Sequence, residues 1–207
     1  HLIYFENLLQ EANNELVQKA KANGEYAIGY TCYFMPEVLL DLPGCFSVRL
    51  RAPRCTSPDI ATYYMTSFLC ETSRALLERA IEGGFNFADC VIAPDGADDE
   101  PLHRDLEGGF NFLDAQMATE TCTGTCRFQE HLQQKHLDSV KDMRIINNDN
   151  FFCEFSDVPF KNNENGYAHF REQLRAHVLQ PLHEKLGIDV SDEAIMKTIE
   201  RHNEVCR

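Results

Sequence analysis

The segment Tyr-Ala-Ile-Gly-Tyr-Thr-Cys at residues 26–32 is a short apolar run with Gly24 before it and Pro36 after it. A run of this kind is typical of a strand buried on both faces, since a half-exposed strand would alternate apolar and polar side chains. Upstream, residues 6–22 place leucine and alanine at helical spacing and predict one helix that stops at Gly24. Downstream, residues 46–50 alternate and predict a second strand. Helix and strand therefore alternate from the start of the chain.

The alternation continues to the C-terminus. Pro36 opens a short predicted helix, because proline is accepted in a first helical turn. Further helices are predicted at residues 60–82, 124–138, 167–186 with a kink at Pro181, and from Ser191 to Arg207, and further strands at 88–93, 113–118 and 151–155. The last helix has no stop signal before Arg207, which predicts that the natural chain continues.

Strands separated by helices predict an α/β fold, here a Rossmann-like three-layer lobe with a mostly parallel sheet and additional C-terminal helices. We expect residues 1–207 to form a single α/β lobe whose C-terminal part is helical. In a sheet of this kind, ligands bind at the loops that leave the carboxyl ends of the strands.

The charge and hydropathy of the chain exclude several classes of protein. Lys and Arg number 19 against 33 Asp and Glu, a formal net charge of −14, which argues against nucleic-acid binding. Apolar runs fall short of the roughly 18 residues of a membrane-spanning helix, and the first residues lack the basic and apolar regions of a signal peptide. We therefore expect a soluble cytoplasmic protein that binds neither nucleic acid nor membrane.

Nine cysteines, an odd number spread widely along the chain, do not resemble a secreted disulfide framework. Reduced cysteines then serve either as small buried hydrophobic side chains or as thiolate ligands of a soft metal or an iron–sulfur cluster. Only Cys122 and Cys126 are closely spaced, which is a weak metal signal. Cys122 is expected to leave a strand just before a helix, whose N-terminal amides would stabilise a thiolate.

The sequence Glu-Gly-Gly-Phe-Asn-Phe occurs twice, at residues 82–87 and 107–112. Six identical residues in the same order indicate a local duplication around 82–112 rather than a solenoid, which needs three or more copies. The duplicate contains Cys90.

Several ordered segments together resemble a known family. They are Gly29–Glu37, which includes Gly-Tyr-Thr-Cys and Pro-Glu, Ser67–Cys70 together with Arg74–Glu78 as a cysteine-bearing helix, Phe110–Cys122, Phe151–Pro159, and Ile195–Glu204. Their order resembles the D-component of the 2-hydroxyacyl-CoA dehydratases, a family that also includes benzoyl-CoA reductase subunits. The resemblance spans nearly the whole chain.

The resemblance implies a [4Fe-4S] cluster held by three cysteines, of which Cys70 and Cys122 match the first two. The third lies in a second α/β lobe that this chain lacks, so that either Cys126 or Cys32 substitutes or the cluster is absent. Cys70 and Cys122 are 52 residues apart, and removing one 25-residue copy of the repeat leaves 27, the spacing expected of the family. The inserted copy could add an edge strand or displace Cys122.

The resemblance also implies radical elimination of water from a 2-hydroxyacyl-CoA. The electron would come from a separate ATP-dependent iron–sulfur activator, and the chain would work with a paralogous or identical partner subunit in an anaerobic cytoplasm. Glu37 is the candidate base or hydrogen-bond partner, with Glu120 as its rival; either could instead be structural, since a carboxylate is favoured in the first turn of a helix. Two alternatives remain: a cluster-free scaffold or subunit-interaction module, and a double-cubane-type reductase of small molecules.

Overall fold

The structure is a computed structural model that describes residues 2–10, 13–31, 34–52, 55, 57–81, 112–119, 122–137, 150–159 and 161–206. Its strands are β1 Tyr26–Tyr30, β2 Cys45–Arg49, β3 Ala115–Thr119 and β4 Phe152–Ser156. Its α-helices are α1 Leu2–Gln10, α2 Glu15–Ala22, α3 Ala61–Tyr64, α4 Glu71–Ile81, α5 Thr123–Leu137, α6 Glu164–Leu174, α7 Gln180–Leu186 and α8 Asp192–Val205. The predicted strand at 88–93 and most of the repeat lie outside the described residues.

The described strands form one parallel sheet in the order β2-β1-β3-β4. Strand β1 lies inside the sheet, where Tyr30 is opposite Arg49 of β2 and Met117 of β3, and Thr119 of β3 is opposite Ser156 of β4. Because every pair is parallel, the carboxyl ends of the strands meet at one edge, which we call the carboxyl edge. The α/β fold with a parallel sheet, predicted from the sequence, is confirmed.

Helices cover both faces of this sheet. On one face, which we call the α4–α5 face, Leu77 of α4 and Phe128 and Leu132 of α5 pack with Ala27 of β1. On the other, the α6–α8 face, Ile28 and Met117 of the sheet pack with Val178 and Leu182. Adjacent residues of β1 thus point to opposite faces, and both are excluded from solvent. This explains the unbroken apolar run that marked the strand in the sequence.

Two predicted helices are divided in the structure. Residues 6–22 belong to α1 and α2, and the Asn14 side chain accepts hydrogen bonds from the N–H groups of Leu16 and Val17 at the start of α2. The single helix predicted at 60–82 is also wrong, since α3 ends at Tyr64 and α4 starts at Glu71.

Tertiary contacts explain the break between α3 and α4. Met65 has an extended backbone and a side chain that is 1% exposed, so the chain turns inward to bury it. The buried Glu78 carboxylate of α4 accepts hydrogen bonds from the N–H groups of Ile60 and Ala61, at 3.2 and 2.6 Å. These bonds satisfy open donors at the start of α3. In one continuous helix Glu78 would lie roughly 25 Å along the axis from Ala61 and could not reach them. The break gives α4 a start of its own, directly after Cys70.

The C-terminal helices follow the prediction with local differences. The predicted kink before Pro181 is a π-helical segment, Arg175–Leu179, that joins α6 to α7. A π segment accommodates a proline without breaking the helix, because the backbone hydrogen bonds shift by one residue. The Ser191 side chain caps α8 by accepting the N–H of Ala194, and the helix ends at Val205. The helix predicted after Pro36 is one 3₁₀ turn, Glu37–Leu39.

Candidate functional site

Two cysteines occupy the N-terminal ends of helices at the carboxyl edge. Cys70 precedes α4, and its carbonyl accepts the N–H of Arg74 at 3.1 Å. Cys122 precedes α5, and its carbonyl accepts the N–H of Cys126 at 3.2 Å. Each cysteine therefore occupies a cap position, where the first N–H groups of a helix lack partners of their own.

The starts of α4 and α5 are in direct contact. Gly124, in the first turn of α5, is buried, and a Cβ added to it would lie 3.2 Å from the Cβ of Cys70 and 2.8 Å from Oγ of Ser73. No larger residue fits at this position without a shift of its neighbours, which explains the glycine. Cys70 and Cys122 are thus brought to neighbouring helix ends although 52 residues separate them.

Both thiols face solvent and receive hydrogen bonds from the helices that follow them. The N–H of Thr125 lies 3.4 Å from Sγ of Cys122, and its Oγ1 lies 3.1 Å from the same sulfur. Hydrogen bonds from the backbone N–H of Ser73, and more weakly from Thr72, lower the pKa of Cys70 below the usual value of a thiol. Such an environment favours the thiolate, the form that binds metals.

Two other cysteines have the opposite environment. Burial raises the pKa of Cys45 and of Cys153 to about 12, and both side chains lie in the packed interior of the sheet. They act as small hydrophobic side chains. These four cysteines therefore lie in two environments, exposed helix starts and the packed interior, and position in the fold separates them.

Glu37 lies in the 3₁₀ turn that follows β1. Its Oε2 accepts a hydrogen bond from the hydroxyl of Tyr30 at 2.5 Å. Burial, and then the hydrogen bond to Glu37, raise the pKa of Tyr30 far above its usual value, so this tyrosine stays protonated. Tyr30 packs on the α6–α8 face, whereas Cys70 and Cys122 start helices of the opposite face.

Residues 32–207 match the family described as 2-hydroxyglutaryl-CoA dehydratase, D-component. The match covers most of the chain and agrees with the resemblance found in its motifs. The chain belongs to this family. No curated protein matches the sequence closely enough to count as a relative. Family membership supports a subunit of dehydratase type, a class of lyase. Among the described segments, no helix has the length and hydropathy to cross a bilayer.

An iron–sulfur cluster would need thiolate ligands from this chain, so its fit depends on where the cysteines lie. Cys70 and Cys122 supply two exposed thiols at neighbouring helix starts, which suits two ligand positions of an iron–sulfur cluster. Cys126 is half-buried, one turn further along α5. Cys32 and Glu120 lie outside the described residues. Within the part of the chain that is described, no three Cys, His, Asp or Glu side chains converge as metal ligands.

The α6–α8 face carries an open apolar cleft of about 300 Å³ that sequence reasoning missed. It is lined by Leu39, Tyr167, Phe170, Arg171, Leu174, Arg175, Leu179 and Ile195. The spacing of Tyr167, Phe170 and Leu174 along α6 is visible in the sequence, but it equally predicts an ordinary core-facing helix. Because Leu39 is two residues from Glu37, the cleft reaches the turn that carries this carboxylate.

Proposed function

We propose that this chain is an iron–sulfur subunit of 2-hydroxyacyl-CoA dehydratase type, which eliminates water from a 2-hydroxyacyl-CoA by a radical route. A separate ATP-hydrolysing iron–sulfur activator would supply the electron in an anaerobic cytoplasm. The observation that carries the proposal is the contact of the starts of α4 and α5 through Gly124, because Cys70 and Cys122 are the residues that precede these two helices. Family membership supports the same reaction class.

In this proposal Cys70 and Cys122 hold two positions of a [4Fe-4S] cluster as thiolates. The N–H groups of Ser73 and Thr125 stabilise the charge on the two sulfurs. A third ligand would come from Cys126, from Cys32 or from a paralogous or identical partner subunit. When bound, the cluster would supply an iron able to act as a Lewis acid toward the substrate's oxygen atoms.

The chemistry explains why an electron is needed. The C3 proton of a 2-hydroxyacyl thioester is not acidic, so simple base-catalysed elimination fails. One electron added to the thioester carbonyl gives a ketyl radical that expels the 2-hydroxyl as hydroxide, and the neighbouring C3–H then becomes acidic. Loss of this proton, followed by return of the electron, gives the 2-enoyl thioester, and the proton and hydroxide together make up the water that is eliminated. Glu37 is our candidate for taking that proton, because its carboxylate is fixed by Tyr30 at the carboxyl edge. Glu120 is the alternative base.

The test is an anaerobic purification of the chain followed by assays of iron and acid-labile sulfide and an absorption spectrum. We expect iron and sulfide in the unmodified chain, and their loss in Cys70→Ala and Cys122→Ala. Cys206→Ala is the matched control, since Cys206 is also an exposed thiol but lies at the end of α8. Absence of iron from the anaerobic unmodified chain would favour a cluster-free scaffold or subunit-interaction module. Six cysteine ligands converging across a dimer would favour a double-cubane-type reductase.

A further inference from the structure

Each of the two edge cysteines is followed, three residues later, by a hydroxyl side chain. The sequences are Cys-Glu-Thr-Ser at residues 70–73 and Cys-Thr-Gly-Thr at residues 122–125. In an ordinary helix cap, the side chain of the first residue accepts the N–H of the residue three positions on. At the start of α5 the acceptor is the sulfur of Cys122, and in both helices the residue three positions on brings a second possible donor, its hydroxyl.

The geometry is explicit at Thr125. Its Oγ1 lies 3.1 Å from Sγ of Cys122, and its N–H lies 3.4 Å from the same sulfur. A thiolate has no proton to give, so when Cys122 is ionised or bound to a metal the hydroxyl of Thr125 must be the donor. One residue therefore delivers two hydrogen bonds to one sulfur.

Ser73 occupies the equivalent position at α4. Its backbone N–H donates to the carbonyl of Cys70 at 3.1 Å, its N–H and hydroxyl also help to lower the pKa of the Cys70 thiol, and the residue is 4% exposed. The start of α5 holds this hydroxyl in place, since a Cβ at Gly124 would lie 2.8 Å from Ser73 Oγ. The hydroxyl of Ser73 thus belongs to the contact between the helices.

We propose that Ser73 and Thr125 are positioning residues whose hydroxyl groups donate to the sulfurs of Cys70 and Cys122 and so raise the reduction potential of the centre that these sulfurs hold. The inference rests on the proposed function and adds to it a reason for the residue types at both positions. Reduction adds negative charge that spreads onto the ligand sulfurs, and each hydrogen bond to sulfur stabilises that charge. Removal of a donor therefore lowers the potential.

The experiment measures the midpoint potential of the cluster in the full chain after anaerobic reconstitution with ferrous iron and sulfide, by a redox titration followed by electron paramagnetic resonance. Thr125→Val removes the hydroxyl at nearly constant volume, and Thr125→Ser retains it. Thr123→Val is the matched control, because Thr123 is exposed on the same turn. Ser73→Ala tests the second helix. We expect lower midpoint potentials for Thr125→Val and Ser73→Ala. For Thr125→Ser and Thr123→Val we expect midpoint potentials close to that of the unmodified chain.

The outcomes separate this inference from the proposed function. Equal potentials in the unmodified chain, Thr125→Val and Ser73→Ala, each with a full cluster, would overturn the inference and leave the proposed function standing. A shift in Thr123→Val as large as that in Thr125→Val would also overturn it. An unmodified chain that takes up no cluster would overturn the proposed function and this inference together. Circular dichroism spectra check that each variant is folded, and the isosteric Thr125→Val keeps the test decisive should Ser73→Ala unfold.

Discussion

Asp114 and Ala27 exchange two hydrogen bonds at the start of the β1–β3 pair. The N–H of Asp114 donates to the carbonyl of Ala27 at 2.9 Å, and the N–H of Ala27 donates to Oδ2 of Asp114 at 2.8 Å. The same Oδ2 accepts from Nζ of Lys21 at 2.6 Å. A one-residue slip would break all three bonds, so Asp114 fixes the register of β3, and with it the place where the chain reaches Cys122.

We predict that Asp114→Ala lowers the free energy of unfolding by about 2–3 kcal/mol. The carboxylate is nearly buried and its hydrogen bond to the N–H of Ala27 is charge-assisted, and bonds of this kind contribute about 1.5–3 kcal/mol. Urea denaturation followed by circular dichroism measures the change. Lys21→Ala is the control, because the partly exposed Lys21 should cost no more than about 1 kcal/mol. Equal losses in the two variants would show that the ion pair, and not the backbone bond, stabilises this position.

Gly124→Ala should separate the starts of α4 and α5. Helix propensity alone would favour alanine by up to about 1 kcal/mol. The added Cβ would meet Ser73 Oγ at 2.8 Å and Cys70 Cβ at 3.2 Å, and such overpacking costs about 1–3 kcal/mol. We therefore expect a net loss of stability in urea and a lower iron content after anaerobic reconstitution.

The double variant Ser73→Ala/Gly124→Ala tests the cause. It removes the closest of the contacting atoms, so it should recover part of the stability that Gly124→Ala loses. A Gly124→Ala protein that is more stable than the unmodified chain would contradict the contact between the two helices.

In the native, cluster-free chain, exposed and buried cysteines should differ in their rates of alkylation. Iodoacetamide reacts with thiolates, so the lowered pKa of Cys70 should keep its rate high toward neutral pH. Cys45 and Cys153, each with a pKa of about 12 and a buried sulfur, should react only after denaturation. Mass spectrometry of peptides after timed labelling at several pH values measures these rates. Labelling of Cys153 as fast as that of Cys70 in the folded protein would contradict the packing described above.

The sequence predicted the sheet well because the strands carry their own signals. The apolar run that became β1 reflects burial on both faces, which is a local property of the sequence. The placement of Cys122 just before a helix was also predictable, since β3 and α5 adjoin it. The start of α4 at Cys70 was not, because helical spacing continues through residues 65–70. The break depends on Glu78, whose hydrogen bonds to the start of α3 exist only in the folded chain.

The contact between α4 and α5 could not be predicted from the sequence either. Glycine at position 124 and serine at position 73 are ordinary residues in the sequence, and only the packed helices show why they occur together. The ligand assignment at Cys70 came from the family resemblance, and it stays a prediction until metal is measured. The Cys-x-x-Ser and Cys-x-x-Thr spacings were visible, but without the helix starts they carry no more weight than any other serine or threonine near a cysteine.

Glu37→Gln tests whether Glu37 acts as the catalytic base or only stabilises the turn after β1. The amide oxygen of glutamine can still accept the Tyr30 hydroxyl, so we expect a folded protein with an unchanged iron content. It cannot take a proton from C3 at a useful rate, so water elimination should fall by about 100-fold or more. The measurement is the loss of 2-hydroxyglutaryl-CoA, used as the probe substrate, by the chain assembled with its partner subunit and activator in the presence of ATP.

Tyr30→Phe is the matched variant, because it removes the same hydrogen bond from the other side. It leaves the Glu37 carboxylate in place and should cost about 1 kcal/mol of stability with a smaller loss of activity than Glu37→Gln. If Glu37 only anchors the turn after β1, the two variants will instead lose activity in proportion to stability, and Glu37→Gln will be nearly fully active. That result would transfer the role of the base to Glu120, since Glu120→Gln would then show the selective loss of turnover.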